Sequence, residues 1–268
     1  GTASGGFMWA PDCAYKNGIY YFYYPHMDPT NYWRIGVATS SVPQGPFIDT
    51  GHWIVGTDNT DPSCFIDDDG EAYLYWSPNP YAGIPPRVAK LKPNMIELAE
   101  TPRYIDYGAS NCKEGLFMHK YKGVYYFSYS DWTDPVDQGF YAMGASPYGP
   151  FTYKGAVCGK PAGTGAQDHH SIVAYKGQWY YFYHVGNYNG GDQYRRNSCV
   201  DYLYYNADGT MQRVAMTSQG VPAATEFPDS WAAYNDCAWV GGDSVANLTT
   251  NSPFVTYREN LANSTNGY

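Results

Sequence analysis

The sequence predicts an all-β fold, a five-bladed β-propeller of which four blades are directly visible. Three observations carry that expectation. Aromatic residues make up 18% of the 268 residues, with 30 Tyr among them, while charged residues make up only 15%, well under the usual quarter. The aromatics fall in short runs such as Tyr20-Tyr21-Phe22-Tyr23-Tyr24, bounded by Gly, Pro, Asn and Asp, the composition of strands and tight turns. Four such runs follow an Asn, Asp or Lys joined to Gly18, Gly70, Gly123 and Gly177, which stand 52, 53 and 54 residues apart. In an all-β chain a period of about fifty reads as propeller blades of four strands each. A sandwich would space its strands more closely and less regularly.

The first blade is marked by Asn17-Gly18-Ile19-Tyr20-Tyr21-Phe22 and closes on Gly45-Pro46-Phe47. The second carries Asp69-Gly70-Glu71-Ala72-Tyr73-Leu74-Tyr75. Lys122-Gly123-Val124-Tyr125-Tyr126-Phe127 marks the third, which again closes on Gly-Pro-Phe at residues 149–151, and Lys176-Gly177-Gln178-Trp179-Tyr180-Tyr181-Phe182 marks the fourth. Each Gly supplies the positive φ that a tight hairpin turn needs. Blades are thus expected within residues 1–216. Residues 217–268 match one more blade in length but carry fewer Tyr and more Asn, Ser and Thr. A completing blade, an appended tail and the start of a separate module all stay open for them.

A formal net charge of −9 argues against nucleic acid or an anionic membrane as a partner. No apolar run reaches 18 residues, so no transmembrane helix is expected. The opening Gly1-Thr2-Ala3-Ser4-Gly5-Gly6 has no signal-peptide pattern, as a processed or truncated start would also have none. Six Cys, at 13, 64, 112, 158, 199 and 237, show neither a CxxC pair nor zinc spacing and read mostly as small buried hydrophobes. Asn247-Leu248-Thr249 and Asn263-Ser264-Thr265 are glycan acceptors only in a host that glycosylates secreted proteins.

The chemistry sits just before the hairpins, on what should be the innermost strand of each blade. These stretches are Trp9-Ala10-Pro11-Asp12, Asp61-Pro62-Ser63-Cys64-Phe65, Glu114-Gly115-Leu116-Phe117 and Gln167-Asp168-His169-His170-Ser171. Polar residues at one structural position of successive blades converge on the axis, and carboxylates with a His in one funnel form an acid/base site. Glu114 precedes Leu116 and Phe117, whose apolar side chains should exclude water and raise a carboxyl pKa, the state proton donation to a leaving group requires. The plain alternative is a solvated surface charge. Asp12 reads as a turn cap beside Pro11, whereas Asp61 and Glu114 read as one functional pair.

Taken together, these marks resemble glycoside hydrolase family 43. The resemblance spans about residues 7–220 and includes Asp67-Asp68-Asp69-Gly70, both Gly-Pro-Phe marks, His169-His170-Ser171-Ile172, and Arg196 with Cys199-Val200-Asp201-Tyr202-Leu203-Tyr204. It implies a secreted or periplasmic enzyme that releases L-arabinofuranose or D-xylose from hemicellulose with inversion of configuration. Glu114 then looks like the general acid, and Asp61 like the third carboxylate that raises the acid's pKa and orients it. His169 resembles a central His that often contacts an axial calcium ion or water, its plain alternative being a hydrogen-bonded core pair with His170. Arg196 resembles a clamp on substrate hydroxyls, or else is a surface Arg beside Arg195. Trp9 and Phe117 would give the sugar apolar contacts, although a buried blade aromatic would also account for Trp9.

One mark is missing. The family's general base is an Asp from an Ala-Asp-Pro-type motif that opens a first blade, and only eight residues precede Trp9. Either that blade lies outside this sequence, or the final segment completes the ring and supplies the base from Asp229 or Asp236. A non-catalytic carbohydrate-binding propeller, keeping the funnel without the base, is the alternative function.

Overall fold

A computed structural model describes residues 9–160, 169–186, 191, 196–217 and 219–222. They fold into four antiparallel sheets. The first holds β1 (Asp12–Lys16), β2 (Ile19–Met27), β3 (Trp33–Ser40) and β4 (Ile48–Trp53). The second holds β5 (Ser63–Ile66), β6 (Ala72–Trp76), β7 (Arg87–Lys90) and β8 (Arg103–Tyr104), and the third β9 (Glu114–Tyr121), β10 (Val124–Ser130), β11 (Asp137–Gly144) and β12 (Phe151–Gly159). In the fourth, β13 (Ser171–Tyr175), β14 (Gln178–Val185) and β15 (Asn197–Leu203) are described. Every sheet is a meander in chain order, and its first strand touches the first strand of the next, β1 against β5, β5 against β9, β9 against β13. Those strands ring the axis, so the sheets are propeller blades.

Local chemistry explains the hairpins. At Asn17-Gly18, Lys122-Gly123 and Lys176-Gly177 both residues take positive φ, between +48° and +82°, the conformation whose twist matches that of the flanking strands. The second blade differs. There only Gly70 is left-handed, and Asp67, Asp68 and Asp69 widen the turn, which closes through the Asp67 N–H on the Glu71 carbonyl at 2.8 Å.

Three apolar clusters fill the seams between successive blades. Tyr23, Ile35, Val37, Leu74 and Trp76 pack between the first and second, and Tyr75, Val88, Leu116, Phe127 and Tyr129 between the second and third. Tyr126, Tyr141, Ile172, Tyr181 and Leu203 pack between the third and fourth. The tyrosine excess has its reason here. A ring fills the seam, and its hydroxyl reaches a carbonyl beyond it, where a buried O–H must find a partner. Tyr23 donates to Met95 O at 2.8 Å, Tyr75 to Pro147 O at 2.7 Å and Tyr126 to Gly209 O at 2.6 Å.

Among the described residues no such cluster covers the outer face of the first or of the fourth blade. The first presents contacting rings of Phe22, Tyr24, His26, Phe47 and Trp53, the fourth those of Tyr180, Tyr202 and Tyr204. These two faces bound the position of a fifth blade. The expected completing segment, 217–268, lies outside the described residues except for 217 and 219–222. Among the described residues Cys13, Cys64, Cys112, Cys158 and Cys199 form no disulfide with one another, and the last three are buried. Among the described residues no helix is long and apolar enough to cross a membrane.

Candidate active site

Asp61, Glu114 and His169 come from three different blades, yet one ligand atom of each lies within 4.8 Å of the others. All three stand at the entrance of their inner strands, so the convergence follows from the repeat.

Glu114 is aimed by a bulge. Side chains alternate along a strand, and Leu116 and Met118 both face the seam toward the second blade. Regular pairing would send Glu114 into that seam too. Instead Phe117 pairs with Ser128 and Glu114 with Ser130, so Gly115 and Leu116 together oppose Tyr129. The extra residue shifts the alternation and turns the Glu114 side chain away from the apolar seam. Gly115 makes this possible at φ +64°, a conformation in which a Cβ crowds the carbonyl oxygen. This is the physical content of the Glu-Gly pair.

Asp61 is 6% exposed and itself left-handed, at φ +54°. The Ser77 hydroxyl donates to its Oδ2 at 2.6 Å. Strain in a non-glycine residue at a functional site persists only where the surroundings over-determine it, and Ser77 is part of those surroundings.

His169 Nε2 stands 3.9 Å from Glu114 Oε1. Burial pushes the His169 imidazole below its usual pKa, with Asp61 opposing that shift and Arg196 adding to it. It is therefore neutral at neutral pH, and its contact with Glu114 is not an ion pair. Its backbone N–H donates to His184 Nε2 at 3.2 Å, and Arg196 Nη1 reaches the same nitrogen at 3.3 Å. His184 Nε2 must then be unprotonated. Burial, helped by Arg196 and His169, holds the His184 pKa down at about 3.

The remaining sequence-predicted residues fall in different places. Arg196 is exposed and anchored on His184. Trp9 is 52% exposed and leans on Trp33, ring centroids 4.5 Å apart. Phe117 packs into the seam between the third and fourth blades, 6.3 Å from the His170 ring. His170 parts company with His169: it is buried, stacks on Tyr181 and has its Nε2 2.7 Å from Ser128 Oγ. Asp12 accepts the Cys64 N–H at 2.6 Å, tying the inner strands of the first two blades together. That bond and burial, which raises its pKa to about 6, give it a role beyond a local turn cap. Asp229 and Asp236 lie outside the described residues. No sequence motif marks Ser77 or His184. Ser77 follows the aromatic strand without a motif, and His184 sits seven residues beyond Gly177 in a run of rings that reads as core.

A calcium ion fits this donor set poorly. Calcium asks for six to eight oxygen ligands, whereas the cluster offers two carboxylates and an imidazole nitrogen, and one carboxylate oxygen is already held by Ser77. What the arrangement suits is proton transfer. One carboxyl stands beside a second carboxylate and a neutral imidazole, all three largely shielded from solvent.

Comparison with known proteins agrees with this chemistry. Residues 2–211 match the sequence profile of Glycosyl hydrolases family 43. The chain is 38% identical over 243 residues to a xylosidase/arabinosidase 43A of Humicola insolens, covering 75% of this chain and 73% of that protein. It is 33% identical to an arabinoxylan arabinofuranohydrolase of Bacillus subtilis, covering 88% of this chain and 53% of that one. Among solved structures, a GH43 beta-xylosidase/alpha-arabinofuranosidase from a compost microbial metagenome, in complex with xylotriose and in calcium-free form, superposes with TM-score 0.68 at 35% identity. That match covers 76% of this chain and 72% of that one. The GH43_1 enzyme of Xanthomonas citri complexed with xylotriose superposes with TM-score 0.69 at 35% identity, covering 76% and 71%.

Proposed function

The chain belongs to family 43 of the glycosyl hydrolases, and from that premise we propose that it releases terminal L-arabinofuranose or D-xylose from hemicellulose by an inverting acid/base mechanism. It is a glycosidase. The observation that carries the finer reading is the meeting of Asp61, Glu114 and His169 within 4.8 Å.

In this reading Glu114 protonates the leaving glycosidic oxygen. Glu114 is partly shielded, its side chain 17% exposed, while Asp61 stands close by and buried. A nearby anion favours the protonated form of a carboxyl group, so Asp61 keeps the proton on Glu114 until the leaving group takes it. Neutral His169 fills the space beside the acid without neutralising it. Arg196, exposed and held by His184, would meet sugar hydroxyls. Trp9 supplies an apolar ring at the same end of the first blade, since β1 begins there. Phe117, from inside its seam, would act on the sugar only by holding β9 in place.

For the base that activates water, Asp229 and Asp236 are the candidates within this sequence, both outside the described residues. Since a calcium ion does not fit as a directly held ligand, any ion near His169 would be reached through water, and no step depends on it. A polymer that cells meet outside their membrane places the enzyme in the secreted or periplasmic space. The net charge of −9 keeps nucleic acid and anionic lipid out of the list of partners.

The test is hydrolysis of aryl α-L-arabinofuranosides and aryl β-D-xylosides, with Glu114→Gln as control. Release of aryl alcohol by the unsubstituted chain, largely lost in the variant, is the expected result. Binding of oligosaccharide without turnover would establish the non-catalytic alternative.

A further inference from the structure

We infer that Ser77, with the clamp that surrounds it, is the positioning residue for Asp61: its hydroxyl fixes the carboxylate that in turn controls the acid Glu114. The inference rests on the acid/base reading above and adds a residue to it.

The segment 58–61 is held residue by residue. Asp58 accepts from Trp76 Nε1 at 3.0 Å and from Arg87 Nη1. Asn59 Nδ2 donates to the carbonyls of Ser77 and Pro78. Thr60 O accepts the Ser77 N–H at 3.0 Å, and Asp61 Oδ2 accepts the Ser77 hydroxyl at 2.6 Å. These partners come from residues 76–78 and 87. Two of the four residues, Asn59 and Asp61, are left-handed at φ +69° and +54°. Asn and Asp enter that conformation more readily than other side chains, and these bonds fix it here.

The end of the clamp that holds Asp61 is buried: Ser77 is 2% exposed and Trp76 is fully buried, whereas the Asp58 side chain at the other end is 42% exposed. A hydroxyl donating to a carboxylate in such surroundings is a charge-assisted bond, stronger than a neutral one. It occupies one oxygen of Asp61 and fixes the rotation of the group, so the other oxygen has one direction in which to meet Glu114. The Ser77 side chain bonds Asp61, not the sugar, so its effect on the reaction passes through Asp61.

Ser77→Ala removes the hydroxyl with little change in volume. Loss of one hydrogen bond to a charged group predicts a fall in kcat of about ten- to a hundredfold on glycosides with poor leaving groups. The loss should be much smaller on dinitrophenyl glycosides, which leave without protonation, with KM unchanged on both. Asn59→Gly keeps the left-handed backbone but cuts the ties to Ser77 and Pro78, and should show the same leaving-group signature in weaker form. Asp61→Asn and thermal unfolding of each variant complete the set. Equal losses on both substrate classes, or a loss that tracks a fall in Tm, would mean that Ser77 is merely structural and would overturn the proposal. If Asp61→Asn shows the signature and Ser77→Ala does not, the positioning role alone fails. If Asp61→Asn lacks it as well, the role of Asp61 falls and takes this proposal with it.

Discussion

The His169 imidazole stands 3.9 Å from the Glu114 carboxyl across the junction of the third and fourth blades, and it stands there uncharged. A cationic His at that distance would pull the proton off Glu114, since an opposite charge favours the ionised form of an acid. Burial keeps His169 neutral, and Arg196 reinforces that from behind by way of His184. The site thus places its positive charge one residue back from the acid, on Arg196.

Replacing Glu114 by Gln keeps the shape of the side chain and removes the transferable proton. The expected cost is about two to four decades in kcat on unactivated glycosides, the usual share of general acid catalysis. Dinitrophenyl glycosides need little protonation and should lose far less. Steady-state rates on a series of aryl leaving groups check this through the slope against leaving-group pKa, which should steepen in the variant.

Gly115 should be intolerant of a side chain although nothing in its composition says so. Gly115→Ala forces a Cβ into φ +64°, at a cost of about 1–2 kcal/mol, or about 2–8 °C in Tm for a domain of this size. Relieving the strain would undo the bulge and swing Glu114 toward the apolar seam. Activity should therefore fall further than stability does. Circular-dichroism melts set beside kcat measure both.

These two residues show what the sequence could reveal. The period of the Gly-turns fixes which strands are innermost, and Glu114, Asp61 and His169 meet because they hold one position in that repeat. The bulge that turns Glu114 out of the seam is invisible in advance, because period-2 reasoning assumes unbroken pairing. Phe117 illustrates the same limit. As a neighbour of the acid it reads as a sugar contact, but on the far side of the bulge the alternation sends it into the blade seam. The His169-His170 pair could be read either as functional or as core. The fold divides it, because adjacent residues entering a strand point to opposite sides. Ser77 and His184 act through bonds made across chain separations of 16 and 15 residues, and no local pattern marks them.

Acid should loosen the seam between the third and fourth blades. His119 and His170 are both buried there among aromatic rings. Burial, with a smaller contribution from a neighbouring His, pushes each from 6.5 down to about 3. Between those values the unfolded chain takes up a proton at each site and the folded chain does not, so stability falls as pH drops from about 6.5 toward 3. Asp12, raised from 3.8 to about 6, works the other way, gaining stability for the fold as pH falls between those two values. The net effect is read by difference. His170→Gln should flatten the fall of Tm with decreasing pH relative to the unsubstituted chain, while an unchanged slope would count against the assignment.

The last prediction concerns which carboxylate is the base, and distance decides it. An inverting site needs about 6.5–9.5 Å between its two carboxyl groups so that water fits, whereas a retaining site holds them at about 5–5.5 Å. Asp61 and Glu114 have ligand atoms within 4.8 Å, too close for Asp61 to be an inverting base. Taken alone, that spacing would make Asp61 a retaining nucleophile. Two observations oppose this: Asp61 is 6% exposed, and its Oδ2 is held by Ser77. A pinned and buried carboxylate cannot advance on an anomeric carbon. Its position suits tuning the acid, and the base must come from elsewhere. Proton NMR of the first product formed from an aryl glycoside reads the outcome directly. Inversion is the expected result, and Asp229→Ala and Asp236→Ala should then identify the base: loss of about two to four decades, recovered by added azide as a glycosyl azide of inverted configuration, marks it. If neither variant loses activity, another carboxylate of the chain is the base and both candidates are ruled out. Retention would instead make Asp61 the nucleophile and overturn the role given to it here.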